Sequence, residues 1–342
     1  MKKEIWGFYP PPIGGISIYC KRLAEKMHEL DSSIVLRNFA SSSSDKVYVE
    51  NVHNRIWQFV SLLFARKRLI HSQFTNIYML LLLYIFGWRH PLVMTLHNRR
   101  LVLLDGWKRK VVNGLFKRAR YIVYNDSSYT AALQEKYNFD TDKVVILPTY
   151  ISPSKDECKG LTPDIEAFCD RHTYTISANA YLLVKNVFGD VYGLEQIIEL
   201  MNRLVNKDRM DVGLVFCIAD ASDTTYLEEC RAKIHALNLD EHFLFVLESD
   251  VNGFEVWART NLFLRPTMSD MEGVSVKEAL EFGTPVVASD VCVRPREAVL
   301  YKKADVDDLY EKVVCVLCSG KRVEYNPEIS VPQALKRIYD SF

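Results

Sequence analysis

An α/β protein of two successive parallel-sheet domains is predicted by three features of this 342-residue chain. Short apolar runs of strand length alternate with segments of helical period from residue 4 to about residue 150, and again from residue 173 to residue 317. The length exceeds one ordinary core and suits two. Between the two sets lies a Pro-, Ser- and Gly-containing stretch, Pro148 to Pro163, with the composition of a linker. The boundary is placed near residue 150.

Composition narrows the class. Apolar residues are 49% and charged residues 25%, which describes a globular chain. Lys plus Arg and Asp plus Glu are 43 each, so net charge favours no partner, and without a recognised reader motif no nucleic acid is expected. The N-terminus runs straight into a strand with no apolar signal segment. The eight Cys are scattered singly except Cys315 and Cys318, which have no second pair and no His nearby. Buried reduced thiols and a cytoplasmic compartment are therefore expected. Ile77–Phe86 is apolar throughout but far short of the roughly twenty residues that span a bilayer, and reads as a buried helix.

In chain order, a strand over Glu4 to Tyr9 leads through Pro10-Pro11-Pro12-Ile13-Gly14-Gly15 into a helix from Ile16 to Leu30, with Tyr19, Leu23 and Met27 on its inner stripe. The glycine pair lets backbone amides and a helix start face an anion, although a strand-to-helix turn can need Gly for sterics alone. It is not a dinucleotide fingerprint. A strand at Ile34–Leu36, a helix over Arg55 to Leu69, the 77–86 helix and a strand at Leu92–Leu96 follow. His97 ends that strand, either anchoring a loop or facing a ligand. From Arg99 to Arg120, eight cations (Arg99, Arg100, Lys108, Arg109, Lys110, Lys117, Arg118 and Arg120) face one acid, Asp105, with Leu and Trp107 interleaved. That pattern suits either a solvated helix face or contact with anionic lipid. Strands at Tyr121–Tyr124 and Val144–Leu147 complete the first half.

The second half restarts with a strand from Thr173 to Ala178 and a loop from Asn179 to Asp190 whose strong cation is Lys185, a phosphate ligand or a solvated lysine. A helix from Tyr192 to Leu204, a strand from Val212 to Ile218, a helix from Tyr226 to Leu237, a strand from Phe243 to Val246 and a helix near Phe254 to Arg259 precede the most informative stretch. There Asn261–Leu264 reads as a buried strand. An acidic loop with Asp270 and Glu272 follows, then a helix from Val274 to Phe282 stopped by Gly283 and Pro285, and a strand Val286–Ala288. Ligands of open parallel sheets bind at strand carboxyl ends, where this loop belongs. Gly273 permits close backbone approach, and the amides of Gly273, Val274 and Ser275 can bond an anion or a hydroxyl. Glu278, one turn in, can accept from two vicinal hydroxyls. The alternative is that Asp270 and Glu272 are helix-dipole acids and Glu278 a solvated face. Arg294-Pro295-Arg296-Glu297 reads as a loop. Asp305, Asp307 and Asp308 read as N-terminal acids of a helix over Val306 to Leu317, not as a metal cluster.

Asp270 and Glu278, eight positions apart, with Ala279 and Gly283-Thr284-Pro285-Val286-Val287-Ala288 after them, resemble the carboxyl-terminal signature of family 4 glycosyltransferases. The first acid is Asp where that family usually has Glu. Gly14-Gly15 resembles the family's glycine loop and His97 its Thr-x-His position. The resemblance implies the GT-B fold, two Rossmann-like domains facing a central cleft: an acceptor-side domain over 1–150 and a nucleotide-sugar donor domain over 151–331. A C-terminal helix at about 332–342 is expected to pack back on the first domain.

It further implies a retaining, metal-independent glycosyltransferase of bacterial surface-polysaccharide type, peripheral to the membrane at most, with no cofactor beyond its nucleotide-sugar donor. The acceptor would be a glycan or a polyprenyl-diphosphate-linked sugar, with membrane contact through the 99–120 region. Asp270 or Glu272 and His97 would face the donor sugar, and Glu278 the ribose. Lys185 and the amides near Gly14-Gly15 would face the diphosphate. An Arg that the family places in the Lys185 loop is missing, with Asn179, Tyr181 or Asn186 near its place. A sugar-nucleotide epimerase and a non-catalytic sugar-nucleotide-binding partner subunit are the alternatives.

Overall fold

The computed structural model describes residues 1–11, 14–97, 99–125, 127–154, 157–186, 189–247, 251–270, 272–326 and 329–342, and of residues 99, 127, 128 and 186 the backbone alone. Pro12, Ile13, Lys155, Met271 and the Arg99 and Asn186 side chains thus lie outside the described residues. The chain divides into two units, residues 1–152 with 328–342, and residues 153–327.

The first unit runs β1 (Lys2–Gly7), α1 (Gly15–Leu30), β2 (Ile34–Asn38), β3 (Val49–Asn51), α2 (Arg55–Val60), β4 (Arg68–Ser72), α3 (Ile77–Phe86), β5 (Leu92–Thr95), α4 (Gly106–Arg118), β6 (Tyr121–Tyr124), α5 (Ser127–Lys136) and β7 (Val144–Ile146). Its strands form one parallel sheet in the order β3-β2-β1-β4-β5-β6-β7. The direction of winding reverses between β1 and β4, the point at which such sheets open a crevice.

Three expectations for this unit are corrected. The helix expected over 55–69 ends at Val60, followed by one 3-10 turn at Ser61–Leu63, and Arg68–Ser72 is instead the central strand β4. Helical period is real only through Phe59 and Leu62, both buried; Arg66-Lys67 then breaks it, and Leu69-Ile70-His71-Ser72 is buried on both faces as a central parallel strand requires. Helix α3 is not a buried helix: Leu80 and Leu83 face the core while Tyr78, Tyr84 and Ile85 are exposed. Arg118 does not join a basic surface, because its guanidinium donates to the carbonyls of Leu83 and Tyr84 at the end of α3, at 3.2 and 3.3 Å.

The second unit runs α6 (Pro163–Arg171), β8 (Tyr174–Leu182), the two-residue hairpin strands β9 (Lys185–Asn186) and β10 (Gly189–Asp190), α7 (Leu194–Met201), β11 (Val212–Asp220), α8 (Thr225–Ala236), β12 (Phe243–Leu247), α9 (Gly253–Arg259), β13 (Leu262–Arg265), α10 (Val274–Glu281), β14 (Val286–Ser289), β15 (Val299–Tyr301) and α11 (Val306–Ser319). Its parallel sheet has the order β12-β11-β8-β13-β14-β15, so winding reverses between β8 and β13. Asp305 caps α11 by accepting from the Asp308 amide at 3.1 Å, which is the helix-start role expected of it. Cys315 and Cys318 are exposed on α11, against the expectation of buried thiols, because Leu309, Val313 and Leu317 take its inner face.

Helix α12 (Val331–Asp340) returns the chain to the first unit. Val331, Leu335 and Tyr339 recur every fourth residue, share one helix face and join the core formed by α1, β1 and β2. The Tyr339 hydroxyl meets His71 Nδ1 at 2.6 Å, and His71 Nε2 meets Thr95 Oγ1 at 2.7 Å. Both ring nitrogens of a wholly buried histidine are thereby satisfied.

Candidate active-site residues at the two switch points

In the second unit, β8 and β13 lie on either side of the reversal, and Arg265, the last residue of β13, donates through Nη1 to Oδ1 of Asn179 in the second half of β8 at 2.9 Å. The Arg265 Nε donates to Asp270 Oδ2 at 3.0 Å, and Arg294 Nη1 donates to the same oxygen at 2.9 Å. Arg294 is a wholly buried side chain that also donates to Thr267 Oγ1 at 3.3 Å and to the Ser289 carbonyl at 3.4 Å. It pins the acidic loop to the ends of β13 and β14. Burial would raise the Asp270 pKa, but the charges of Arg265 and then Arg294 outweigh it and hold the carboxyl at about 2. Asp270 is ionised at any physiological pH.

Gly273 begins α10 in the left-handed region at φ +65°, and a Cβ there would lie 2.1 Å from Arg294 Nη1. The close approach that this glycine permits is therefore made by Arg294. Glu272 pairs with Lys277, one turn into α10. Val274 is partly exposed at the helix start and Ser275 buried; Glu278 is partly buried one turn on. The loop, its helix and Arg265 thus come together at the switch point. Lys185 is engaged elsewhere: on β9 its ammonium reaches Glu195 at 3.2 Å and lies over the Tyr226 ring at 4.6 Å.

In the first unit, Gly14 and Gly15 follow β1 and His97 follows β5. The Gly14 amide donates to Ser17 Oγ at 3.0 Å, so it is engaged within the start of α1. A Cβ on Gly15 would meet nothing within 4 Å, so packing gives no reason for glycine there. His97 Nε2 sits 2.8 Å from Gln73 Oε1 and its ring edge packs on Tyr19. Burial pushes the imidazole down to about 4, so it is neutral at pH 7. Gln73, wholly buried after β4, has an Nε2 with no hydrogen-bond partner among the described residues.

Arg265, Arg294 and Gln73 are the site residues that spacing along the chain does not single out. An arginine closing a buried strand was the available signal for Arg265; nothing local marks the other two.

The comparisons bear on this geometry. Residues 174–314, most of the second unit, match the family model described as glycosyl transferases group 1. HepE of Anabaena, crystallised in complex with UDP, superposes with a TM-score of 0.73 at 14% identity over 100% of both chains. Sucrose-phosphate synthase of Thermosynechococcus elongatus gives 0.68 at 15% identity over 99% of this chain and 98% of its own. WaaG, a glycosyltransferase involved in lipopolysaccharide biosynthesis, gives 0.60 at 14% identity over 92% and 90%. No curated protein sequence matches. Residues 174–314 are thus similar to the glycosyl transferases group 1 family, and the chain carries the GT-B fold, in keeping with the family 4 resemblance of its acidic loop.

Proposed function

We propose that the protein is a retaining, metal-independent glycosyltransferase that moves a hexose from a nucleotide-diphosphate sugar to a glycan or lipid-linked acceptor in polysaccharide biosynthesis. The observation that carries this reading is the β13-loop-α10-β14 segment at the sheet reversal, inside the region that matches the group 1 model, with Asp270, Glu272 and Glu278 at the carboxyl ends of the strands. HepE holds UDP, and UDP-glucose in a further crystal structure, which favours a UDP-sugar donor here.

Glu278 takes the ribose hydroxyls. The amides of Gly273, Val274 and Ser275, with Lys185, take the diphosphate, and Gly14 and Gly15 present the first unit's backbone to it. Arg265, at the switch point beside Asn179, supplies the fixed positive charge that the Lys185 loop lacks; oriented cations of this kind stabilise a departing diphosphate. Asp270 or Glu272 and the neutral His97 face the donor sugar. Contact with an anionic membrane is made by the first unit, where the exposed rings of Trp107 and Tyr78 lie 6.3 Å apart, tilted by 44°, with the Lys108 ammonium 5.9 Å from the Trp107 ring. No described helix is long and apolar enough to cross a membrane.

A second reading has one observation in its favour. Asp270 is already held by two arginines and Glu272 by Lys277, the arrangement expected of a non-catalytic nucleotide-sugar-binding subunit.

Thermal melting with UDP, GDP, ADP, CMP and their sugars, on wild type and Glu278→Gln, with and without magnesium, tests the donor site. The expected result is a rise of several degrees with one nucleotide diphosphate, indifferent to magnesium and lost in Glu278→Gln. No rise with any nucleotide would remove the donor-site assignment. Binding without turnover of the stabilising donor, with or without acceptor, would select the second reading, and an isomerised sugar formed without acceptor would mark an epimerase.

A further inference from the structure

At the edge of the second sheet away from the acidic loop, three side chains outside the site above gather. His172 caps the end of α6, Asp211 directly precedes β11 and His242 directly precedes β12. Because β12, β11 and β8 are neighbours, the three residues stand at the amino ends of adjacent parallel strands. One nitrogen of each histidine and one oxygen of Asp211 lie within 4.8 Å of one another. We propose that His172, Asp211 and His242 form a binding site for one late first-row divalent cation, zinc above all.

The hydrogen bonds around the cluster carry the inference. His242 Nδ1 lies 2.8 Å from the Val212 carbonyl, which can only accept, so Nδ1 carries the proton and Nε2 keeps its lone pair. His172 is bracketed by two acceptors, with Nε2 3.2 Å from the Glu241 carbonyl and Nδ1 2.7 Å from Asp211 Oδ1. With the ring proton on Nε2, Nδ1 and Asp211 Oδ1 are free to share a cation.

A proton between His172 Nδ1 and Asp211 satisfies that pair but gives the neighbouring His242 no part in it. A metal ion uses all three. Backbone carbonyls fixing the outer N–H of each ring are the usual support of metal-bound imidazoles. Asp211 is supported in the same way, since its Oδ2 accepts from the Thr173 amide at 2.8 Å and the Thr173 hydroxyl at 2.9 Å.

The pocket for the His172 ring is also built in. A Cβ at Gly213, inside the buried strand β11, would meet His172 Cδ2 at 2.3 Å. Two imidazoles and one carboxylate suit zinc and its neighbours rather than calcium or magnesium. Ligands of one zinc ion are about 3.3 Å apart when each bond is about 2.0 Å, so closure asks for a movement of roughly an ångström, available chiefly to the half-exposed Asp211, since the His172 side chain is nearly buried. An ion there would join the starts of three strands and act on stability, far from the acidic loop in topology.

The test uses full-length protein stripped with a chelator and titrated with zinc and with cobalt(II) at pH 7.5. Cys158, Cys315 and Cys318 are exposed, so the cobalt spectrum is needed to separate this site from thiolates. The expected result is one cobalt ion per chain without a thiolate charge-transfer band, micromolar or tighter zinc binding, and a melting temperature raised by several degrees at saturation. His242→Gln keeps the His172–Asp211 pair and should melt near the metal-free wild type while binding zinc roughly tenfold or more weakly. Asp211→Asn provides the same reading should His242→Gln fail to fold. No saturable binding, or binding that shows the thiolate band or survives both substitutions, would overturn the proposal and leave His172 and Asp211 as a proton-sharing pair.

Discussion

Arg294 is the residue on which the acidic loop depends most. Its buried guanidinium bonds Asp270 and Thr267 on the loop and the Ser289 carbonyl on β14. Arg294→Met would preserve volume but leave Asp270 ionised and buried with one of its two arginines gone. Removing one partner of such a buried pair costs about 3–5 kcal/mol. Urea unfolding should therefore show a loss on the order of 3 kcal/mol in the second unit, and Arg294→Lys should recover little of it because one ammonium cannot reproduce a planar fork. A loss below about 1 kcal/mol would mean that Arg294 is not what holds the loop. At this scale the sequence is informative only where partners are near in the chain. Asp270, Gly273 and Glu278 are visible as a spaced set because one loop and one helix turn carry them. Arg265 meets Asn179 and Arg294 meets Gly273 only because strand order brings distant segments together, and no local period records strand order.

Among the elements, the unit β13-loop-α10-β14 is the part most legible in the sequence, because its strands are uninterrupted apolar runs and Gly283-Thr284-Pro285 punctuates the helix. Strand β4 was hidden by a run of helical-period residues just before it. Helix α3 misleads in the opposite sense: its ten residues are all apolar or aromatic, yet Tyr78, Tyr84 and Ile85 are exposed. Trp57 on α2, Tyr78 on α3 and Trp107 on α4 are each about half or more exposed, at 64%, 63% and 46%, and α3 packs against both α2 and α4. Exposed aromatic rings beside lysines, on helices whose buried sides are already filled, present a surface suited to lipid headgroups. Sedimentation with vesicles containing phosphatidylglycerol should therefore capture the protein, with capture falling as salt rises. Trp107→Ala with Tyr78→Ala should reduce the bound fraction several-fold at unchanged melting temperature. Equal capture by neutral vesicles, or by the double variant, would remove these helices from any membrane role.

At the scale of the molecule, the two units differ in what acid does to them. Burial shifts three histidines of the first unit downward: His71 to about 3 and His97 to about 4, against an ordinary value of 6.5, and His90 in the same direction. The unfolded chain therefore binds more protons than the folded unit between about pH 6.5 and pH 4. The stability these rings contribute is complete above that window and is lost as pH falls through it. In the second unit the shifted group is a carboxylate. Asp270, drawn to about 2 by its arginines against the counteracting effect of burial, contributes stability that is complete above about pH 4 and lost only toward pH 2. Acid should accordingly unfold the first unit before the second, with His71 and His97 together costing it on the order of 3 kcal/mol or more at pH 4. Trp6, Trp57, Trp88 and Trp107 lie in the first unit and Trp257 in the second, so Trp257→Phe confines tryptophan fluorescence to the first. On titration from pH 7, that fluorescence should change above pH 4 together with part of the helical ellipticity, and the remaining ellipticity should be lost below pH 4. One coincident transition by both probes would mean that the units unfold together and that the buried histidines do not set the acid limit of the first.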